Sequence, residues 1–304
     1  MAISALEDEL KRFGPGSTSE PMSVVNAQAY CKQLALSHYE NFPVVTRLLP
    51  KYIVQDFYNI YAFCRWADDL GDELGDRDRA LQYLGWWRDE LAACYADSPR
   101  HPVMVALKET VRAYEIPSKP FEDLISAFEQ DQTITRYNDF DQLHDYCKRS
   151  ADPVGRLVLY LARSANDLNF PLSDSICTGL QLANFWQDVA RDYQKIDRIY
   201  LPKSSMDQFG ITEADIAKGI STPSFRELLA MEVRRARRFL ETGWPLVDNV
   251  PKDFRFDISL FIRGGLAILD KIEKHNFAVL ESRPKLSKYD FLKLSMQTMW
   301  SKRP

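Results

Sequence analysis

The sequence predicts an all-α fold, on three observations. Apolar residues recur at helical intervals, as in Phe57, Ile60, Tyr61 and Cys64, or Leu157, Tyr160 and Leu161; this spacing gathers side chains on one helical face. Strand-like alternation is scarce. Breaks at Pro43, Pro50, 96–102, 117–120, 171–174, 201–205, 221–224, 244–251 and 282–284 separate stretches of mostly helical length.

Taken in order, the elements begin after a flexible lead over residues 1–21, which holds the Gly14 to Pro21 stretch, with the first core helix starting near Asn26. The loops that follow are short, so one helical domain over residues 22–304 is expected. A chain of 304 residues with 45% hydrophobic content is long and apolar enough to bury a sizeable core. Its net charge of −4 gives no general attraction for nucleic acid. Five scattered cysteines without a C-x-x-C spacing argue against disulfides or a zinc site and fit a reducing cytoplasm. No apolar run approaches the roughly 18 residues of a spanning helix, so a soluble protein, or one peripheral to the cytoplasmic membrane face, is expected.

Two helices carry the chemistry. The segment from Tyr61 to Asp72 puts Arg65, Asp68, Asp69 and Asp72 on one helical face and Phe63, Trp66, Ala67 and Leu70 on the other. Like charges so arranged repel unless a cation sits among them. About 120 residues later, Gln181, Asn184, Asp188 and Asp192 form a second polar stripe, on a helix made apolar by Leu182, Ala183, Phe185, Trp186 and Val189. A single Asp pair at i and i+4 is a common feature of solvated helix faces. Two such pairs on otherwise apolar helices point instead to carboxylates lining an interior, facing each other across a central apolar cavity. Mg²⁺ is the hard cation that joins such oxygens to phosphate.

These residues resemble the squalene/phytoene synthase family of isoprenoid enzymes from Ala29 to about Lys288. The resemblance is carried by Leu48-Leu-Pro50, Tyr61-Ala-Phe-Cys-Arg65 leading into Asp68-Asp-Leu-Gly-Asp72, Pro153-Val-Gly155, the Gln181 to Asp192 stripe and Arg198-Ile-Tyr-Leu-Pro202. Within the family, Ser37-His-Tyr-Glu-Asn-Phe-Pro43, Asp131-Gln-Thr-Ile-Thr-Arg-Tyr137 and Asn184-Phe-Trp-Gln-Asp188 are most similar to the bacterial hydroxysqualene synthase branch of hopanoid pathways. Phytoene and dehydrosqualene synthases carry a Ser-x-Ser-Phe-like segment where this chain has Tyr39-Glu-Asn-Phe42, and a tyrosine where it has Gly265.

The resemblance implies a single-domain isoprenoid-synthase helical fold. It implies Mg²⁺ ions held by Asp68, Asp72, Asn184, Asp188 and Asp192, and substrate contacts from His38, Tyr39, Asn41, Phe42, Arg65, Tyr146, Gln181, Gly265 and Lys288. Tyr61 and Phe42 are expected to offer π-faces to a carbocation, and either the polar groups near Tyr39, Glu40 and Asn41 or the gap at Gly265 to hold a water. The implied reaction converts presqualene diphosphate and water to hydroxysqualene and diphosphate. Alternatives are head-to-head condensation of two prenyl diphosphates such as farnesyl diphosphate, and a non-catalytic binding or assembly role. No G-x-G-x-x-G follows a strand, and no nicotinamide is expected. The basic run from Glu232 to Leu240 reads first as a solvated helix face, with contact to anionic lipid as the lesser alternative.

Overall fold

Helices supply all the regular structure among the described residues, 3–38 and 49–300, of the computed structural model; the one β feature is an isolated parallel bridge between Arg136 and Ile199. The all-α expectation holds. Contacts group the chain into two units, Met1–Thr133 with Arg156–Ala165, and Ile134–Gly155 with Asn166–Pro304.

The first unit contains α1 (Ile3–Phe13), α2 (Val24–His38), a 3-10 turn (Lys51–Ile53), α3 (Val54–Asp72), α4 (Arg77–Tyr95), α5 (Pro102–Ala113) and α6 (Lys119–Asp131). Local chemistry fixes several starts. Asp76 accepts a hydrogen bond from the Arg79 N–H, His101 accepts one from the Val103 N–H, and prolines occupy the first turns of α5 and α6. The core forms where α3 presents Phe63 and Trp66 to α4, both fully buried. Trp87 stacks on each of them at 5.5 Å, and Phe63 meets Phe121 edge-on at 4.9 Å. Burying each such side chain stabilises the unit by about 1.5–3 kcal/mol.

The expected flexible lead is corrected for residues 3–13. They form α1, whose Leu6 and Leu10 are buried, while Glu7 pairs with Arg79 at 2.6 Å. The apolar pair at i and i+4 provides the reason, since one helical face of this segment has core to join.

The second unit contains α7 (Phe140–Ser150), the first turn of α8 (Asp152–Leu161), α9 (Asn169–Ile196), the short α10 (Lys203–Gln208) and α11 (Glu213–Ala217), α12 (Pro223–Gly243), α13 (Leu246–Asn249), α14 (Lys252–Lys274) and α15 (Lys288–Trp300). Glycines set how closely three of these pack. A Cβ on Gly179 of α9 would lie 2.8 Å from Leu240 of α12, and one on Gly265 of α14 would lie 2.8 Å from Leu180 and 2.9 Å from Leu240. The expected gap at Gly265 is therefore corrected: leucine side chains already occupy that space. Its neighbour Gly264 faces open space, with nothing within 4 Å of its Cβ position.

In α12, Arg235 pairs with Glu232 at 2.7 Å and lies over the Phe140 ring, and Arg237 pairs with Asp270 and Glu273 at 2.7 and 3.0 Å. Two of the four arginines in the basic run are thus engaged within the unit. Among the described residues no helix is long and apolar enough to cross a membrane.

Candidate functional site

Helix α3 is locked about its own axis by buried polar contacts. Asn59 donates to the Ala106 carbonyl at 3.2 Å and to Thr110 Oγ1 at 3.0 Å; Thr110 in turn donates to Asp56 at 2.8 Å. Trp66 Nε1 donates to the Tyr30 hydroxyl at 3.1 Å, which donates to Glu9 at 2.6 Å. Near its end the Gln132 amide holds the Gly71 carbonyl at 3.0 Å. A buried polar group that loses its partner costs about 1–3 kcal/mol, so these bonds specify which face turns inward.

The other face carries the chemistry. At about 100° per residue, Tyr61, Arg65, Asp68 and Asp72 fall within roughly 60° of arc. Tyr61 and Asp68 are half-buried and Asp72 is exposed. Arg65 pairs with Asp68 at 3.0 Å and closely with the fully buried Asp69. Partial burial and then the neighbouring Asp72 push the Asp68 carboxyl up to about 6, with Arg65 opposing. A carboxylate raised by a like charge is relieved by a cation between the two.

On α9 the stripe of Gln181, Asn184, Asp188 and Asp192 spans roughly 80° of arc. Phe185, Trp186, Leu182, Ala183 and Val189 are buried, as the sequence predicts. Along the stripe Asn184 is exposed, Gln181 and Asp192 are half-buried, and the Asp188 side chain is only 5% exposed. Burial and then the charge of Asp188 push the Asp192 carboxyl up to about 7, with Arg191, Arg198 and Arg283 opposing.

Asp188 has a partner that sequence reasoning missed. Arg283, in the segment between α14 and α15, grips it with two nitrogens: Nη2 lies 2.8 Å from Oδ2, and Nε is in close contact with Oδ1. Gln187 fixes this segment by donating to the Pro284 carbonyl. No local pattern announces the contact, because the partners lie 95 positions apart. Burial is the available signal: a carboxylate on so apolar a helix needs a cation or strong donors.

Three other expected residues have different settings. Tyr146 is buried in a ring cluster with Tyr137, Phe185 and Tyr200, the last two stacked at 3.6 Å. Gly265 is buried at the α9–α12–α14 crossing, and Lys288 is the exposed first residue of α15. The His38 side chain, Tyr39, Asn41 and Phe42 lie outside the described residues.

The residues able to hold a divalent cation are the carboxylate pair Asp68 and Asp72 on α3, and Asp188 and Asp192 with the Asn184 amide oxygen on α9. Their all-oxygen chemistry and like-charge repulsion fit Mg²⁺, which keeps several positions for water and phosphate oxygens. Each helix presents two carboxylates in this set. Among the described residues no cluster of three or more His, Cys, Asp or Glu converges on one point.

Comparison with known proteins adds the lineage. The squalene/phytoene synthase family profile matches residues 36–290. Hydroxysqualene synthase of Rhodopseudomonas palustris is 33% identical over 84% of this chain and 84% of its own. Phytoene synthase of Arthrospira platensis is 30% identical over 86% of this chain and 89% of its own. The crystal structure of squalene synthase HpnC from Alicyclobacillus acidocaldarius superposes with a TM-score of 0.80 at 39% identity, covering 84% of this chain and 95% of that one. Both aspartate helices fall inside the matched residues, and the helical architecture is that of HpnC, so the chain belongs to the squalene/phytoene synthase family.

Proposed function

We propose that this chain is a hydroxysqualene synthase, taking presqualene diphosphate and water to hydroxysqualene and diphosphate. The observation that carries the diphosphate chemistry is the carboxylate pair at i and i+4 on each of two helices, one member of each raised by burial and a like charge. Bound Mg²⁺ would neutralise the negative charge growing on the leaving diphosphate, a stabilisation that increases toward the transition state. Asp68 and Asp72, and Asn184, Asp188 and Asp192, are the proposed ligands.

The chain's own residues have separable tasks in this reading. Arg65 and Gln181 orient diphosphate oxygens, and His38, Asn41, Tyr146 and Lys288 are assigned to the substrate by the family pattern. Tyr61 and Phe42 present π-faces to the cation left when the carbon–oxygen bond breaks. Tyr39 and Asn41 hold the water whose oxygen bonds to the rearranged carbon as its proton departs. The choice of water as terminal nucleophile rests on the Tyr39 to Phe42 segment and on the hydroxysqualene synthases among the relatives.

A second reading, condensation of two prenyl diphosphates, is favoured by the similar identity to a phytoene synthase. Purified protein with Mg²⁺ and either presqualene diphosphate or farnesyl diphosphate, analysed by mass spectrometry, separates the two. The proposal expects hydroxysqualene from the first substrate without added nicotinamide. Efficient condensation of farnesyl diphosphate, with presqualene diphosphate left unconverted to alcohol, would select the second.

A further inference from the structure

The outward face of α15 carries a concentration of exposed apolar side chains. Tyr289 is 74% exposed, Leu292 56%, Met296 40% and Met299 60%. At about 100° per residue these four positions fall within roughly 80° of arc and form one stripe; Phe291, 40% exposed, lies outside it. The packing contacts of the helix lie away from this stripe. There Leu294 is buried, and Asp290 reaches Lys271 of α14 at 2.8 Å. The helix is firmly begun: Asp290 Oδ2 accepts from the Ser287 N–H at 2.7 Å, and the Asp290 N–H donates to Ser287 Oγ at 3.2 Å. An outward apolar face on an anchored helix is a built surface.

Charge identifies what would cover it. The same helical arithmetic puts Lys288 on one flank of the stripe and Lys293 on the other. Both are exposed, and neither has an ion-pair partner among the described residues. Residues 283–304 carry six basic side chains and one acidic one, within a chain of net charge −4. The acidic one is Asp290, paired with Lys271, and of the six basic ones Arg283 is bound to Asp188, which leaves five. An apolar stripe between lysines, in a locally basic segment of an acidic protein, matches a helix lying in a membrane interface, with apolar groups at the acyl boundary and lysines at anionic headgroups.

We propose that α15 docks the protein on an anionic bilayer surface through Tyr289, Leu292, Met296 and Met299, with Lys293 and Lys288 at the headgroups. This docking stands whichever reaction the enzyme performs. It also differs from the basic run of α12, the lesser lipid-contact alternative of the sequence, where Arg235 and Arg237 are engaged in intramolecular ion pairs.

Flotation of the full-length protein with vesicles of pure phosphatidylcholine, and of phosphatidylcholine with phosphatidylglycerol, tests it at low and moderate salt. The wild type should float with the anionic vesicles, and less at higher salt. Leu292→Glu/Met296→Glu should reduce the bound fraction on the order of 10-fold or more, as two buried apolar contacts become charges facing anionic lipid. Lys293→Gln should weaken binding about 3- to 10-fold, the loss of one headgroup contact. Arg234→Gln/Arg238→Gln in α12 should bind as wild type. Circular dichroism and light scattering accompany each variant. Absence of flotation on anionic vesicles at low salt would overturn the proposal, as would undiminished flotation of the folded double variant. A wild-type dimer that becomes a monomer in the double variant, without vesicle binding, would instead mark a face between two copies and overturn it too.

Discussion

Asp188 sits at the meeting of two demands on one carboxylate. Its side chain is 5% exposed, and Arg283 satisfies it with a two-nitrogen grip. Removing one partner of a fully buried ion pair costs about 3–5 kcal/mol. Arg283 is itself 31% exposed, so the loss in Arg283→Gln should be smaller, about 1–3 kcal/mol. Thermal denaturation should show the lower midpoint, with Mg²⁺ restoring part of it if that ion can take over the Asp188 charge. A midpoint equal to wild type would mean the pair contributes nothing net. Asp68→Asn and Asp188→Asn should each cut turnover by about 10²-fold or more, with circular dichroism unchanged. Full activity in either variant would remove the metal assignment.

Residue-scale chemistry was legible in the sequence only where it is local. The stripes through Asp68 and Asp72, and through Asn184, Asp188 and Asp192, follow from helical spacing and need no tertiary knowledge. Arg283 could not be read in this way, because nothing in an Arg-Pro dipeptide states which helix it will meet. Nor could the role of Gly265, since a glycine marks the absence of a side chain equally well at a gap and at a close contact.

At the scale of elements, the three-helix crossing in the second unit makes a paired prediction. A methyl group at Gly265 would press on Leu180 and Leu240, so Gly265→Ala should destabilise by about 1–3 kcal/mol. Gly264→Ala meets nothing within 4 Å and should stabilise by up to about 1 kcal/mol through helix propensity. Urea denaturation of the two variants checks both signs, and equal effects would contradict the close packing.

The first unit gives a pH prediction centred on His101. It is nearly fully buried beside Trp66 and Trp87, with ring centroids at 4.5 and 4.8 Å, and burial pushes its pKa down to about 3. The unfolded chain binds this proton near the ordinary histidine value of about 6.5 and the folded chain does not. The contribution of His101 is therefore complete above about 6.5 and is lost progressively as pH falls from there toward 3. His101→Asn keeps a capping side chain for α5 and removes the titration. Its urea midpoint should fall less steeply than the wild type's between pH 6.5 and 4; parallel curves would contradict the burial argument.

At the scale of the whole molecule, composition and periodicity were enough for the all-α class, because helices declare themselves through short-range spacing. The helix α1 was missed because the Gly14 to Pro21 stretch suggested a loose lead, although Leu6 and Leu10 already stood at helical spacing. The family follows from motifs distributed over most of the chain, and its profile spans residues 36–290. The reaction is a finer matter than the family, since hydroxysqualene and phytoene synthases match this chain at similar identity. It turns on what quenches the cation after diphosphate leaves, a choice among water, hydride and proton loss that the metal ligands do not make.

The central claim is water capture, and the most direct measurement follows the oxygen. Purified enzyme, Mg²⁺ and presqualene diphosphate are incubated in water enriched in oxygen-18, without nicotinamide, and the product is analysed by mass spectrometry. The account predicts hydroxysqualene carrying one oxygen-18 atom. A hydrocarbon product, or an alcohol whose oxygen is unlabelled, would contradict it.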